Sequence, residues 1–370
     1  MRLLYDLRLL DGTVHGMARY ALGLLDGLLA TQDDLEVTAL VRGRAGAAQA
    51  PDDPRVKLVR CGPAPYGVAG RFFTPRAAKQ ATADIYHCPF FAPLPRPGRP
   101  MVITIHDLIH LRFPRDYKLR HRVFYRRFLG PVARRAPLIL TVSKHSKRDL
   151  AELLGVSPRR IVVTPNGVDR RFRPLDPLTR DSAAQRLGLP ADYILGVGNP
   201  KPHKNLGALL RAHAELAQRT ACGGGRVPPL VILGASARDL ARHHPGDSVI
   251  FLRNLGDEDI PLLYGAAEMV VVPSLYEGFG LPALEALAAG VPLVASNRSS
   301  LPEVVGKAGV LIDPTPAKLA AAMARVHSDQ ELRLALTQAG PRRAAEFSWE
   351  NTARATWEAY QRVLSEGGRP

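Results

Sequence analysis

Residues 270–296, VVVPSLYEGFGLPALEALAAGVPLVAS, restrict the fold of this chain more than any other stretch. Val270–Val272 is a continuous apolar run, as a parallel strand buried on both faces requires, and Pro273 and Ser274 end it. The loop that opens at the strand's carboxyl end carries Gly278 and Gly280, which permit a tight bend and close approach of a ligand to the backbone. Pro282 suits the first turn of a helix, Ala283–Ala289 supplies helix formers, and Gly290 followed by Pro292 stops them. A second strand is expected over Pro292–Ala295. Such a βαβ unit aims the N–H groups of Phe279–Leu281 and the positive end of the helix dipole at one point beyond the sheet, where an anion fits, most naturally a phosphate. Glu277 lies before the helix and Glu285 one turn inside it, so the two carboxylates would accept hydroxyls from different parts of an elongated ligand. Taken alone, Glu-Gly-Phe-Gly is equally well an ordinary turn ahead of a solvated helix.

The rest of the chain repeats the same pattern. At 370 residues it exceeds the ~250–300 at which one core stops growing, so two domains are expected. Candidate strands in the first half are Leu3–Tyr5, Val37–Val41, Val56–Val59, Asp84–His87, Met101–Ile105, Leu138–Val142 and Ile161–Val163, alternating with helix-length segments as in a doubly wound parallel sheet. Pro174, Asp176, Pro177 and Asp181 mark a linker, and a new strand starts at Tyr193. The expected domains are 1–172, with 350–370 packing back onto it, and 173–349. Further strands are expected at Leu230–Leu233, Val249–Leu252 and Val310–Asp313. Cys61, Cys88 and Cys222 cannot all pair and lack metal-ligand spacing, which favours a reducing compartment. No apolar run approaches the ~20 residues of a spanning helix. The expectation is a chain free in the cytoplasm or peripheral at the inner membrane face.

Three loops outside the opening motif carry chemistry. Gly16 precedes a helical pattern of Met17, Tyr20, Leu24 and Leu28. His106 and Asp107 end the fifth strand, at the end of an open sheet where ligands bind, and Asp107 either orients the imidazole or caps the next segment. After the strand at Tyr193, the loop GNPKPHKN brings Lys201, His203 and Lys204 to a helix start, where a cation could neutralise charge on a leaving diphosphate.

Glu277 and Glu285, with seven residues between them inside PSLYEGFGLPALEALAAGVPLVAS, resemble the signature of retaining glycosyltransferase family four, and its mannosyltransferase-like members in particular. VITIHD around His106, SKHSKRDL from Ser143, TPNGVDRRFRP from Thr164 and the terminal helix from Phe347 also resemble family segments. The resemblance implies the α/β GT-B fold, two Rossmann-like domains facing a central cleft. It implies that Glu277, with the amides of Gly278 and Phe279, holds the donor sugar and Glu285 the nucleotide ribose. It also implies that Gly280 and Leu281 face the diphosphate, Lys204 binds phosphate, Gly16 approaches the donor phosphates, and His106 faces the sugar near the reacting carbon. Three positions depart from the family pattern: His15 stands where a first glycine is frequent, and Asn199 and His203 stand where arginines are frequent. Lys201 or His203 would then supply the second positive charge.

Composition adds one strongly local feature. Between Arg112 and Arg148 lie twelve lysines and arginines opposed only by Asp116, so +11 of the chain's formal charge of +16 is concentrated in this tract. Leu119, Val123, Phe124 and Phe128 recur at helical spacing, so an amphipathic helix with an apolar side and a basic remainder is expected. A solvated face, an anionic membrane surface or a charged acceptor would each accept such a tract. With no zinc pattern, aromatic RNA-binding motif or helix-turn-helix, no nucleic acid is expected.

These readings converge on a retaining, metal-independent glycosyltransferase. It would move a hexose from a nucleoside-diphosphate sugar of GDP-mannose or UDP-glucose type to a saccharide, glycolipid or small-molecule acceptor, with catalysis resting on His106, Lys204 and Glu277. No Asp-x-Asp-like metal pair accompanies the motif, and neither metal nor other cofactor is expected. A sugar-nucleotide epimerase or α-glucan phosphorylase on the same architecture, and a non-catalytic protein binding anionic lipid or nucleic acid, are the alternatives.

Overall fold

The structure is a computed structural model that describes every residue except 14, 63–64, 66–73, 223–224, 244–245, 247, 254 and 368–370, together with the side chain of Cys222. It divides into two compact units, Met1–Gly167 with Phe347–Pro370, and Val168–Glu346.

The first unit is built on seven strands: β1 (Arg2–Asp6), β2 (Glu36–Val41), β3 (Val56–Arg60), β4 (Ile85–Cys88), β5 (Met101–Thr104), β6 (Leu138–Thr141) and β7 (Ile161–Val163). They pair in the order β3-β2-β1-β4-β5-β6-β7, every pair parallel. Leu3 aligns with both Val37 and Ile85, so the chain winds outward from β1 in one direction and from β4 in the other. The carboxyl ends of β1 and β4 are thus the switch point where such sheets leave a crevice. Leu3, Leu4, Tyr5 and Asp6 are all buried, as expected for a strand covered on both faces. Asp6 is matched by the equally buried Arg8, at 2.7 Å.

One covering layer pairs the helix Gly16–Thr31 with the terminal helix Trp349–Ser365. Close approach is possible because Gly23 and Gly27 have no side chains: a Cβ on Gly23 would stand 2.3 Å from the Trp349 indole, and one on Gly27 would stand 2.4 Å from the Trp349 carbonyl oxygen. A buried polar chain fastens the same helix to the sheet. The Tyr360 hydroxyl is hydrogen-bonded to His87 Nδ1 at 2.6 Å, His87 Nε2 to Thr104 Oγ1 at 2.8 Å, and Tyr20 to the same threonine at 3.1 Å. Burial pushes the His87 imidazole down to about 3, so it is neutral at physiological pH.

The basic tract differs from its periodicity. Leu119–Phe124 and Gly130–Arg135 are α-helical, and Tyr125–Leu129 between them is wound as a π-helix. Phe124 packs against Phe91 and Tyr125 with Phe128 stacked on it, whereas Leu119 and Val123 point outward, 67% and 49% exposed. Spacing groups these four on one helix side, but Phe124 follows Val123 by a rotation of about 100°, enough for an inner aromatic row to lie beside an outer aliphatic one.

The second unit contains β8 (Ile194–Val197), β9 (Leu230–Leu233), β10 (Val249–Leu252), β11 (Met269–Val272), β12 (Leu293–Ser296) and β13 (Val310–Ile312), paired in parallel in the order β10-β9-β8-β11-β12-β13. Its switch point lies between β8 and β11. The helices Leu206–Cys222 and Pro316–Ser328 contribute Leu209, Leu216, Leu319 and Met323 to one continuous core with Ile194, Ile232, Val271 and Val294. Among the described residues no helix is long and apolar enough to cross a membrane.

Replacing Gly27 by valine forces the terminal helix away from Gly16–Thr31, and the expected loss is about 1–3 kcal/mol despite the gain in helix propensity. Gly16→Ala places its Cβ in open space and is expected to leave stability within about 1 kcal/mol of wild type. Denaturant unfolding of the two variants checks the contrast.

Candidate active site

The switch point of the second sheet is lined by two loops that follow β8 and β11. Asn199 Oδ1 accepts the Lys201 amide at 3.3 Å, which folds the first loop back on itself. Pro202–Lys204 makes a single 3₁₀ turn, and Asn205, in the left-handed region at φ 55°, passes the chain into the helix Leu206–Cys222. That strained position is held from outside, because Asn205 Nδ2 donates to the Pro273 and Pro314 carbonyls at 3.1 and 2.9 Å. His203 is buried and its carbonyl accepts the Leu275 amide at 2.7 Å. Lys201 is exposed. Of the two candidates for a second cation, His203 is thus built into the junction of the loops while Lys201 reaches solvent.

Lys204 meets Glu277 across the loops. Its ammonium donates to Glu277 Oε1 at 2.6 Å, with the two side chains only 15% and 11% exposed. Ser274 Oγ donates to the same oxygen at 2.7 Å. Oε2 of Glu277 has no hydrogen-bond partner among the described residues, and neither do the remaining N–H groups of Lys204. A polarised carboxylate with one open oxygen, beside an ammonium with spare donors, can accept a hydroxyl and neutralise an anion in the same place.

The glycines after Glu277 act through backbone conformation. Gly280 has φ +106°, a region that side chains avoid, and a Cβ there would stand 2.7 Å from Leu301 Cδ2. It opens the helix Leu281–Ala288, with Pro282 in the first turn, and accepts the Ala283 and Leu284 amides. Leu281 begins a helix whose first N–H groups, as in any helix, lack intrahelical acceptors, which suits an anion. Glu285 is buried within the same helix. Gly278 and Phe279 bridge Glu277 to this turn, with Phe279 buried.

A third loop, after β12, holds that geometry through residues that no sequence motif marks for the site. Ser299 Oγ accepts the Glu277 amide at 2.8 Å, and Ser299 itself lies in the left-handed region at φ 53°. The buried Ser300 hydroxyl stands 2.9 Å from the Glu277 carbonyl and 2.8 Å from that of Phe279, so one donor is shared by two acceptors. Ser300-Leu-Pro-Glu303 has the spacing of a capping box, yet the Ser300 side chain makes no cap to its own helix. The available signal therefore pointed to the wrong partner.

In the first unit, His106 follows β5. Its Nε2 is hydrogen-bonded to the Pro89 carbonyl at 3.0 Å, its own carbonyl accepts the Ser146 hydroxyl at 2.8 Å, and the ring stands edge-on to Tyr20 with centroids 4.6 Å apart. Burial pushes the imidazole down to about 4 against the raising effect of the Pro89 contact, leaving it neutral at pH 7. Asp107 Oδ1 accepts the Ile109 amide at 3.1 Å, a local contact at the entry to the following turn. Gly16 begins its helix with open space where a Cβ would lie. His15 supplies the N-cap: Nδ1 accepts the Ala18 amide at 3.3 Å, and burial lowers its basicity as well. The histidine in place of a glycine thus has a local structural job.

Comparison with known proteins follows the same division. Residues 179–343 match the family described as Glycosyl transferases group 1, and residues 14–172 match Glycosyltransferase Family 4. O-antigen chain mannosyltransferase B of Escherichia coli is 35% identical over 307 residues, covering 79% of each protein. MMP alpha-(1->4)-mannosyltransferase of Mycolicibacterium hassiacum is 34% identical over 289 residues, 72% of this chain and 66% of that protein. Among solved structures, sucrose-phosphate synthase of Thermosynechococcus elongatus superimposes with a TM-score of 0.76 over 99% of both chains at 20% identity. Anabaena HepE in complex with UDP-glucose gives 0.74 over 98% of this chain and 99% of that one, at 18% identity. The two doubly wound sheets are those of the GT-B fold.

Removing the Ser300 hydroxyl leaves the Glu277 and Phe279 carbonyls without their shared donor. Ser300→Ala is expected to destabilise the second unit by about 1–3 kcal/mol. Urea unfolding measures it, and a variant as stable as wild type would show that the two contacts hold nothing in place.

Proposed function

The chain belongs to the group 1 and family 4 glycosyltransferases, and from that premise we propose that it is a retaining hexosyltransferase using a nucleoside-diphosphate sugar without a metal ion. The observation that carries the reading is the Lys204–Glu277 pair, 2.6 Å apart at the carboxyl ends of β8 and β11, beside the helix start at Gly280 and Leu281. Glu277 Oε2 takes a sugar hydroxyl, and the amides of Gly278 and Phe279 help seat the ring. Lys204 and the Leu281 helix start take the diphosphate, exposed Lys201 adds a second positive charge, Asn199 shapes that loop, and Glu285 takes the ribose. His203 holds the loop junction through its backbone. The acceptor, a saccharide, glycolipid or small molecule, is assigned to the first unit, where neutral His106 offers a hydrogen bond to a hydroxyl without adding charge; Gly16 leaves room at the start of its helix.

Transfer breaks the bond between the anomeric carbon and the β-phosphate oxygen, so positive charge grows on the sugar and negative charge on the diphosphate. The cations and the helix dipole stabilise the latter more in the transition state than in the bound donor. The acceptor oxygen attacks from the face that the phosphate leaves, and its proton passes to the departing phosphate oxygen. Anomeric configuration is retained, and no carboxylate nucleophile takes part. Mannosyltransferases among the relatives make a mannose donor of GDP type the first to test, with UDP-glucose second.

Transfer assays with both donors, with and without EDTA, and NMR of the product test this reading. The expected product keeps the donor's anomeric configuration and forms at the same rate in EDTA, and Glu277→Ala lowers turnover by about a hundredfold or more. No transfer by wild type with any donor and acceptor pair, or equal transfer by Glu277→Ala, contradicts it.

A further inference from the structure

The helical run from Leu119 to Arg135 presents a face that nothing in the transfer chemistry uses. Leu119, Arg122, Val123, Arg126 and Arg127 recur at i, i+3, i+4, i+7 and i+8, so they lie on one side. The π-wound turn Tyr125–Leu129 subtends less angle per residue than an α-turn, which swings Arg127 toward the line of Val123. Leu119 and Val123 are exposed, as are Arg126 and Arg127, and Arg122 is half-buried. The side chains of Lys118, Arg120, Arg122, Arg126, Arg127 and Arg135 make no hydrogen bond or ion pair with any described residue. Arg112, earlier in the same tract, shows the contrast, since Asp149 holds it at 2.6 Å and Glu152 at 2.5 Å.

The apolar surface does not end at the helix. Behind it lies a groove of about 310 Å³, lined by Phe91, Phe124, Phe128 and Val132, with Arg96 and Arg135 also on its walls. One wall is the loop after β4, the same loop whose Pro89 carbonyl holds His106. The face and the groove therefore adjoin the carboxyl end of the first sheet, where the acceptor has been placed.

We propose that this face docks the protein on an anionic lipid bilayer, with Leu119 and Val123 entering the interface, the unpaired arginines at the headgroups and lipid chains reaching the groove. Exposed aliphatic side chains flanked by long cationic ones are what an interfacial helix needs: the apolar atoms leave water while the guanidinium groups extend back to the phosphates. Unneutralised charge supplies the attraction, and the two aliphatic residues in the middle of the charged face are what a nucleic-acid backbone would not select. The docking is independent of donor chemistry.

Co-sedimentation of the full chain with vesicles tests the proposal, using equal parts phosphatidylglycerol and phosphatidylcholine against phosphatidylcholine alone. Wild type is expected to bind the mixed vesicles, to bind the neutral ones far less, and to lose affinity as salt is raised. Arg126→Glu with Arg127→Glu should weaken binding about tenfold or more. Leu119→Gln with Val123→Gln should weaken it as well, although the charge is unchanged. All four positions are exposed or on the exposed face, so circular dichroism and melting temperature should match wild type, and the thermal shift produced by GDP-mannose or UDP-glucose should be the same in every variant. Absence of wild-type binding to the mixed vesicles, or charge-reversed protein that binds as wild type, overturns the proposal. So does Leu119→Gln/Val123→Gln binding as wild type, which would mean contact through charge alone, or capture by single-stranded RNA without capture by vesicles. In each case an intact donor shift would leave the transferase reading standing.

Discussion

A strand whose neighbours are all parallel cannot return through a hairpin; the chain must cross over and re-enter from the same end. Every pair in each sheet obeys this, so within each sheet every loop that follows a strand emerges at the same edge. The residues with chemical potential are accordingly those just past strand ends: His106 after β5, Asn199 to Lys204 after β8, Glu277 after β11, and Ser299 and Ser300 after β12. The buried strands supply rigidity. The outward reversal of winding between β8 and β11 then opens the crevice in which Lys204 and Glu277 meet.

That meeting has consequences for binding. With both side chains nearly shielded from water, each compensates the other's desolvation, and removal of either would strand a charge. Under the proposed function a sugar nucleotide would bring a hydroxyl for the carboxylate and a phosphate for the ammonium, replacing part of the pair without leaving either ion bare. Ser274 and Ser299 hold the carboxylate and its amide, and Ser300 holds the backbone around the glycine turn. In the proposed transfer, such preorganisation would let the site favour developing charge without rearranging at the moment of reaction.

Much of the fold could be read from residue order, because buried parallel strands are short runs of Val, Ile and Leu with few competing interpretations, as at Val270–Val272 or Leu230–Leu233. The helix start at Gly280 and Leu281 was legible for a similar reason: positive φ, proline in the first turn and a glycine stop are each local requirements. Tertiary contacts were not. Nothing near Ser300 announces that its hydroxyl serves residues more than twenty positions earlier, and its local spacing suggests a different hydrogen bond. Periodicity grouped Leu119 and Val123 with Phe124 and Phe128 because apolar residues lie on both the inner and outer sides of that helix, and only packing separates them. Gly23 and Gly27 read as weak points in a helix until Trp349, more than three hundred residues later, is laid against them.

If Glu277 reads the sugar while Lys204 reads the diphosphate, as proposed, calorimetric titration of a conservative variant separates the two. Nucleoside diphosphate and the corresponding nucleotide sugar would each be titrated into wild type and Glu277→Gln. The variant is expected to bind the nucleotide sugar more weakly by about tenfold, roughly the worth of one charge-assisted hydrogen bond, while its affinity for the bare diphosphate falls far less. Equal losses for the two ligands, or no loss for either, would contradict it.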